Sequence, residues 1–214
     1  MKRVNGWIAV VGVSIFGGLT AMGADQPGEI SQEWKRAMAQ VGCHFEQNTG
    51  QLPQAADFTY RRSDYRLDLE RKGMLLALPG NGKILGGDMG IEFVEAKAGK
   101  KLPGIGQLPF KVMQRPVVNG VRRGLTAVST FSEVSADQIF EGVDIRYKLN
   151  KDCVQFDFHV GAGADPDQIR MAFLGEESIS IGNEGQITIQ YPVAQIIQQP
   201  PYAFQEIEGE RRYG

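Results

Sequence analysis

The stretch VDIRYKLNKDCVQFDFHV at residues 143–160 decides the fold. Apolar and polar residues alternate along both of its halves, which is the pattern of β-strands with one buried face. Lys151 and Asp152 interrupt the alternation at its centre. With these two residues as a tight turn, the stretch predicts a β-hairpin.

The turn also predicts the register of this hairpin. One face carries four apolar pairs: Val143–Val160, Ile145–Phe158, Tyr147–Phe156 and Leu149–Val154. The other face carries three polar pairs: Asp144–His159, Arg146–Asp157 and Lys148–Gln155. A slip of one residue would move every apolar side chain to the polar face, so the register is well specified. We expect an ion pair between Arg146 and Asp157, with Asp144 and His159 as a surface pair.

Two further segments alternate in the same way. Leu67 and Leu69 precede a turn at residues 71–73, after which an apolar run returns. Residues 179–181 and 187–189 flank the turn sequence Gly-Asn-Glu-Gly. A duplicated half-domain would explain why these two hairpins look alike. The general similarity of any two hairpins explains it as well, and we favour that explanation.

The rest of the chain favours an all-β fold. Residues 79–90 and 99–109 are rich in Gly and Pro and are predicted to be loops, and neither has the spacing of a phosphate-binding loop. Short apolar runs predict more strands at residues 91–94, 126–131, 169–174, 193–198 and 202–207. Strands at this spacing indicate a mainly antiparallel sandwich or barrel.

One short N-terminal helix is expected over residues 31–41. Ser31 is placed to cap its first turn. The apolar residues recur at helical spacing: Ile30, Trp34, Ala37, Met38 and Val41. We expect this stripe to dock on the β-rich part, and a helix that binds a partner is the alternative.

Composition excludes several classes of protein. The 214 residues include 42% hydrophobic residues, which is too many for a disordered chain. Lys and Arg number 23 against 25 Asp and Glu, for a formal net charge of -2, so there is no basic excess for nucleic-acid binding. Only one long apolar run occurs, which excludes a membrane protein with several spans.

That apolar run has the plan of a secretory signal peptide. Lys2 and Arg3 precede the uncharged residues 7–20, and small residues follow at Ala21 and Gly23. We expect cleavage after Gly23, with cleavage after Ala24 as the alternative. A membrane anchor that is never cut is disfavoured, because the run is shorter than the ~20 residues that span a bilayer.

The expected organisation follows from that cleavage site. Residues 1–23 form the signal peptide, 24–44 a leader with the short helix, and 45–214 the β-rich domain. Export to the periplasm, the cell surface or the extracellular medium is predicted. Cys43 and Cys153 are the two cysteines, and they form either a disulfide or two separate thiols.

Several motifs together resemble a known family. FEQNTGQL at 45–52, GVDIRY at 142–147 and FDFHVGAGADPDQIRMAFLG at 156–175 are similar to motifs of the domain that precedes SBBP-type β-propeller repeats in exported bacterial proteins. NEGQITI at 183–189 and PYAFQEIEGERR at 201–212 resemble its later segments. The matching motif residues are Phe45, Asn48, Gly50, Gln51, Asp144, Tyr147, Asp157, Gly163, Asp165 and Pro166.

The chain also departs from that family. Phe140 and Glu141 stand where Tyr-Pro is usual, and residues 103–125 lack an N-Y-F-x-G motif. The β-rich domain is expected to lack the family's last strand and the propeller repeats that follow, which would leave an unpaired sheet edge near the C-terminus. The resemblance implies an exported, mainly β domain of surface or secreted repeat proteins, and it implies no reaction.

A search for catalytic residues favours structural roles. His44 is adjacent to Cys43, and adjacent side chains usually point apart rather than converge as a nucleophile and its base. Asp144 and Asp157 could serve a glycosidase, but an ion pair with Arg146 would lower the pKa of Asp157, whereas a general acid needs a raised one. The polar pairs are therefore predicted to be structural.

Metal and cofactor sites are not predicted either. Asp165 and Asp167 could hold Ca²⁺ in their Gly-rich loop, but the EF-hand pattern is absent. Asp165 is expected instead to cap a single helical turn that begins at Pro166. The sequence therefore predicts no catalytic, cofactor-binding or metal-binding residues.

We expect an exported, non-catalytic β module of the scaffold or adhesion type. The alternatives are a secreted polysaccharide hydrolase that uses carboxylates, and a carbohydrate-binding module with exposed aromatics such as Tyr60, Tyr65 or Tyr202. Other surface domains or extracellular polysaccharide are the expected partners. Nucleic acid and, after signal cleavage, membrane are not.

Overall fold

The computed structural model describes most of the chain from residue 43 onward. The described residues are 7–8, 15–16, 43–52, 55–63, 65–80, 83–85, 89–97, 99, 101–118, 121–150, 153–192, 194–207 and 210–213. The fold is all-β, with 60% strand, and the described part contains no α-helix. The predicted helix over 31–41 lies outside the described residues. No helix among them is long and apolar enough to cross a membrane.

Twenty strands are described, together with one 3₁₀ turn at Pro166–Gln168. In chain order the strands are β1 Trp7–Ile8, β2 Ile15–Phe16, β3 Phe45–Gln47, β4 Ala56–Arg61, β5 Arg66–Glu70, β6 Gly73–Gly80, β7 Lys83–Leu85, β8 Gly90–Phe93, β9 Gly104–Gln114, β10 Val117–Val118, β11 Val121–Arg122, β12 Thr126–Phe140, β13 Val143–Asn150, β14 Cys153–Val160, β15 Met171–Leu174, β16 Ser178–Ile181, β17 Ile187–Gln190, β18 Gln195–Gln198, β19 Phe204–Ile207 and β20 Glu210–Tyr213.

One large antiparallel sheet of 11 strands dominates the molecule. Its path runs β14-β13-β12-β3-β4-β5-β6-β8-β15, with β7 paired to β6 and β9 paired to β12. The sheet curls into a half-barrel. The curl brings Phe93 of β8 to Phe158 of β14, at 5.6 Å between ring centroids, although six strands lie between β8 and β14 along the path.

Three smaller sheets complete the described fold. They have the orders β16-β17-β18-β2, β1-β19-β20 and β10-β11. Ile189 of β17 and Tyr191, which follows this strand, are buried in the same apolar core as the large sheet. The two pairs of residues described in the predicted signal peptide lie against later strands. Trp7 pairs with Gln205 of β19, and Phe16 pairs with Ile197 of β18.

The register predicted for residues 143–160 is confirmed. All seven predicted pairs form, from Val143 with Val160 to Leu149 with Val154. The apolar face is core, since Ile145, Tyr147, Phe156 and Phe158 have no exposed surface. The proposed turn residues 151–152 lie outside the described part of the chain. Burial of this one face explains why the register is unique.

The other two predicted hairpins also form. Strands β5 and β6 are joined by a turn at Arg71 and Lys72, and Leu69 pairs with Met74. Strands β16 and β17 pair Ile179 with Ile189. The first of these hairpins buries its apolar residues, whereas the second leaves much of β16 exposed.

The loop predicted at residues 99–109 is partly wrong. Strand β9 begins at Gly104 and pairs along β12 as far as Gln114. A Cβ atom added to Gly104 would lie 2.5 Å from the Phe131 ring of β12. The glycine that suggested a turn therefore allows a close approach of two strands. The loop predicted at 79–90 is likewise wrong in part, since β6 extends to Gly80 and β7 pairs back on it.

Candidate functional site

The Asn-x-Gly-Gln motif builds the loop between β3 and β4. Asn48 Nδ2 donates a hydrogen bond to the Ala56 carbonyl at 2.6 Å, while its Oδ1 accepts from the Gly50 amide at 2.9 Å. Gly50 has a φ of 111°, a conformation that favours glycine. Gln51 Nε2 donates to the Gln47 carbonyl at 2.6 Å. These polar side chains satisfy backbone groups of their own loop, and Phe45 beside them is fully buried in the core.

Asp144 stabilises a β-bulge in β12. The register between β12 and β13 shifts between Ala136 and Phe140, and Gln138 there has a φ of 52°. Asp144 Oδ1 accepts from the Gln138 backbone amide at 2.7 Å and from its Nε2 at 3.3 Å. A positive φ is uncommon for a residue other than glycine, so this charge-assisted bond stabilises a strained bulge.

The Gly-Ala-Asp-Pro segment forms a capped turn, as predicted. Asp165 Oδ1 accepts from the Asp167 amide at 3.0 Å, and Pro166 occupies the first position of the 3₁₀ turn. Gln168 Nε2 donates to the Glu141 carbonyl at 2.9 Å, which ties the turn to the end of β12. Gly163 precedes it with a φ of 82°. The motif thus fixes the connection between β14 and β15.

The polar face of the 143–160 hairpin differs from the expectation in its ion pairs. Asp157 lies opposite Arg146 in the register, but its carboxylate contacts Lys148 Nζ at 3.3 Å and accepts from Gln155 Nε2 at 2.7 Å. Arg146 contacts Asp137 instead, at 3.5 Å. The predicted Arg146–Asp157 ion pair is therefore wrong. Lys148 and Arg146 each reach an acid that is not directly opposite.

His159 and Asp144 lie opposite each other in the register, but no hydrogen bond joins them in the described structure. The carboxylate of Asp144 accepts from Gln138, and His159 Nε2 is buried with no hydrogen-bond partner among the described residues. Burial lowers the pKa of His159 below its ordinary value of 6.5; Asp157 and Asp144 oppose this change, and Lys148 and Arg146 add to it.

The tyrosines predicted as sugar-binding candidates are mostly buried. Tyr60 and Tyr65 are 2% and 4% exposed, so they are not available to stack on a sugar. Burial and the contact with Cys43 raise the pKa of Tyr60 to about 12. Tyr202 is 45% exposed and stacks on Phe204. Tyr147 is fully buried, and burial raises the pKa of its hydroxyl.

The structure does not test whether Cys43 and Cys153 form a disulfide. Cys43 Sγ lies 3.6 Å from the Tyr60 hydroxyl. Cys153 begins β14, whose path to β3 passes through β13 and β12. The side chain of Cys153 is not described, so a disulfide and two separate thiols both stay predictions.

A cleft lined by cations lies where three segments meet. We call it the cationic cleft; it has a volume of about 540 Å³ and is bordered by Arg71, Lys97 and Lys101. Its floor is apolar, with Leu102 and Ile139 both buried. Pockets of this size, with an apolar floor and a few polar groups, commonly bind small ligands.

Asp57 fixes two walls of the cationic cleft. This carboxylate is 6% exposed, accepts from the Leu102 amide at 3.1 Å and contacts Arg71 Nε at 3.4 Å. The Lys97 amide also donates to the Ile139 carbonyl at 2.9 Å. The segment that carries both lysines is thereby tied to β12 and to the β5–β6 turn. The sequence had predicted only a loop over residues 99–109.

A second cleft borders the same arginine. It has a volume of about 730 Å³, is open to solvent, and is lined by Glu70, Arg71, Gly73 and Glu92 among others. Glu70 and Glu92 both face Gly73 across the sheet, so their backbones are two strand spacings, about 9.6 Å, apart. Burial raises the pKa of Glu70, as do the nearby charges of Asp68 and Asp57. Sequence alternation had placed Glu70 on an outer face without revealing Glu92 as its neighbour.

No metal centre is visible in the described part of the chain. No three His, Cys, Asp or Glu side chains there are grouped in a way that could hold a metal ion. Asp165, one of the two residues considered for Ca²⁺, is engaged with the Asp167 amide.

Comparison with known protein families gives a match over most of the chain. A family model described as a domain of unknown function, DUF7948, matches residues 45–213. No curated protein and no solved structure matches the chain. The matched range contains the Asn-x-Gly-Gln loop, the 143–160 hairpin and the Gly-Ala-Asp-Pro turn.

Proposed function

The chain belongs to the family of the domain of unknown function DUF7948, and from this premise we propose that it acts as an exported, non-catalytic β module of the scaffold or adhesion type. Its relatives would carry SBBP-type repeats, and its partners would be other surface domains or extracellular polysaccharide. The signal-like residues 1–23 support export.

One observation carries the non-catalytic part of the proposal. Four polar motif residues of the matched range satisfy backbone groups: Asn48 and Gln51 in one loop, Asp144 at the bulge, and Asp165 at the capped turn. A side chain that already accepts or donates such bonds is poorly placed to exchange protons with a substrate. The motif therefore supports a role in shaping loops that present a surface.

Export is tested by fractionation of cells that produce the full chain with a C-terminal tag. We expect the tagged protein outside the cytoplasm, with a mass that corresponds to loss of residues 1–23. A matched variant, Lys2→Glu with Arg3→Glu, should reduce export because it removes the positive n-region. Intact, uncleaved protein that stays in the cytoplasm in both cases would contradict the proposal.

A polysaccharide hydrolase is the second candidate. The observation that favours it is the placement of Glu70 and Glu92 on one open cleft, with a raised pKa at Glu70. Glycosidases use two carboxyl groups on one cleft, one of which has a raised pKa and acts as the general acid. Incubation with polysaccharides and analysis for reducing ends separates the candidates. Product formation that is lost in both Glu70→Gln and Glu92→Gln would establish the hydrolase, and no product at any pH supports the binding module.

A further inference from the structure

We propose that the cationic cleft binds the carboxylate group of an acidic polysaccharide. The cleft is formed by the β5–β6 turn, by the segment that carries Lys97 and Lys101, and by the bulged end of β12. The choice of a polysaccharide as ligand rests on the proposed export of the module. The choice of an anionic group rests on the cleft alone.

The charges that line the cleft leave two cations uncompensated. Asp137 is the one acid that lines it, and its carboxylate contacts Arg146 at 3.5 Å. Arg71 is paired with Asp57 through Nε. Lys97 and Lys101 have no ion pair with any residue that the structure describes, and both are exposed at the rim. An anion at the cleft would therefore meet two ammonium groups and the remaining donors of a fixed guanidinium.

The arrangement is preformed rather than dependent on folding around a ligand. The Leu102 amide is bonded to Asp57, and the Ser135 amide donates to the Pro103 carbonyl at 3.0 Å. Arg71 is oriented by the same Asp57 carboxylate. Groups that are already held in place lose little entropy when a ligand binds, which favours measurable affinity from few contacts.

The floor of the cleft suits a sugar ring better than a bare ion. Ala136, Leu102 and Ile139 are buried there, and Pro103 is exposed at the edge. Apolar surface beneath a charged rim matches a sugar acid, which has an apolar ring face and a carboxylate on its edge.

Nucleic acid fits these charges less well. The chain has a formal net charge of -2, and the cations concerned are confined to one cleft. Nucleic-acid binding draws its affinity from many phosphate contacts along an extended basic surface. A polysaccharide with one carboxylate per sugar residue needs only a local group of cations.

Calorimetric titration of the full chain with a short galacturonate oligomer tests the proposal. We expect binding that weakens as salt is raised, and no binding of the methyl-esterified oligomer, which has the same rings without the charge. The variant Lys97→Gln with Lys101→Gln should weaken binding about tenfold, as expected for two exposed charge contacts. The matched control is Lys111→Gln with Arg123→Gln, which removes two exposed cations away from the cleft.

Each outcome decides the proposal. Loss of affinity in the cleft variant with an unchanged control supports it. Equal weakening in both variants, equal binding of the esterified oligomer, absence of binding, or tighter binding of a single-stranded oligonucleotide of equal charge would overturn it. Because the titration uses purified protein, its failure leaves the export experiment and its interpretation intact, and the reverse also holds.

Discussion

Two hairpins of this molecule have the same sequence alternation but different surroundings. In the β13–β14 hairpin, Ile145 and Phe158 have no exposed surface, whereas Ile179 and Ile181 of the β16–β17 hairpin are 46% and 74% exposed. The apolar face of the first is covered by rings such as Phe93 from the far side of the curled sheet. Strand β16 ends its sheet, with β17 as its one partner among the described strands. Alternation therefore determines which residues share a face, and the curl of the sheet determines which face is covered.

The largest expected effect is the loss of stability when a buried ring is removed from the first hairpin, and its absence would contradict the contrast between the two hairpins. Phe158→Ala should lower the free energy of unfolding by about 3–5 kcal/mol, because it removes a buried ring from a packed core. Ile181→Ala, the matched truncation in the other hairpin, should change it by less than about 0.5 kcal/mol. Chemical denaturation of the two variants measures both values. Similar losses would show that strand β16 is core as well.

Substitutions on the polar faces of the two hairpins should differ less in their effect on the free energy of unfolding. Asp157 is 4% exposed and accepts from Gln155 at 2.7 Å, whereas Ser180 of β16 is exposed. Asp157→Ala should cost about 1–3 kcal/mol, because it leaves the half-buried amide of Gln155 and the ammonium of Lys148 without their acceptor. Asp157→Asn should cost less, since its amide oxygen can still accept, and Ser180→Ala should be neutral. If Asp157→Ala left the free energy of unfolding unchanged in the same assay, the polar face of the β13–β14 hairpin would be merely solvated.

The pH dependence of stability should reflect the burial of His159 in the first hairpin. Burial lowers the pKa of His159 below 6.5, so the unfolded chain takes up the proton first as the pH falls. The contribution of His159 should be fully present above about pH 6.5 and should be lost as the pH falls through the folded-state pKa. Thermal unfolding from pH 8 to 5 should show this loss in the native chain and not in His159→Gln. A slope that persists in the variant would assign the pH dependence to other groups.

The smallest expected effect on stability concerns the exposed strand β16. Ile179→Thr with Ile181→Thr should leave the free energy of unfolding within about 0.5 kcal/mol, since Ile181 is largely exposed and Ile179 about half exposed. An apolar edge strand promotes association between chains, so the variant should associate less at high concentration. Sedimentation velocity measures this association. A large loss of stability would mean that another part of the chain covers this edge.

The sequence predicted the register of residues 143–160 completely, because burial of one face allows only one pairing. The capped turn at Asp165 and Pro166 was equally predictable, since the cap is a local interaction. By contrast, strand β9 was not recognised, because Gly104 serves a close approach to Phe131 that depends on a partner 27 residues away.

The candidate site was the least predictable part. Its walls come from residues 71, 97, 99, 101–103 and 136–139, which no local pattern connects. The buried Asp57 that joins them bonds Leu102, 45 residues away in sequence. The positive φ at Gln138 was also missed, because nothing in an Asp-Gln dipeptide signals a bulge. Long-range pairing produced these features, and alternation reports only on neighbours within a strand.

Native-state hydrogen exchange on the full chain tests the contrast between the two hairpins most directly. If the curl of the large sheet covers the first hairpin completely and leaves strand β16 of the late hairpin exposed, the paired amides of residues 143–160 should exchange with the free energy of global unfolding. Those of residues 178–190 should exchange through smaller local openings, at a lower free energy. Equal protection of both hairpins, or stronger protection of the late one, would contradict the account.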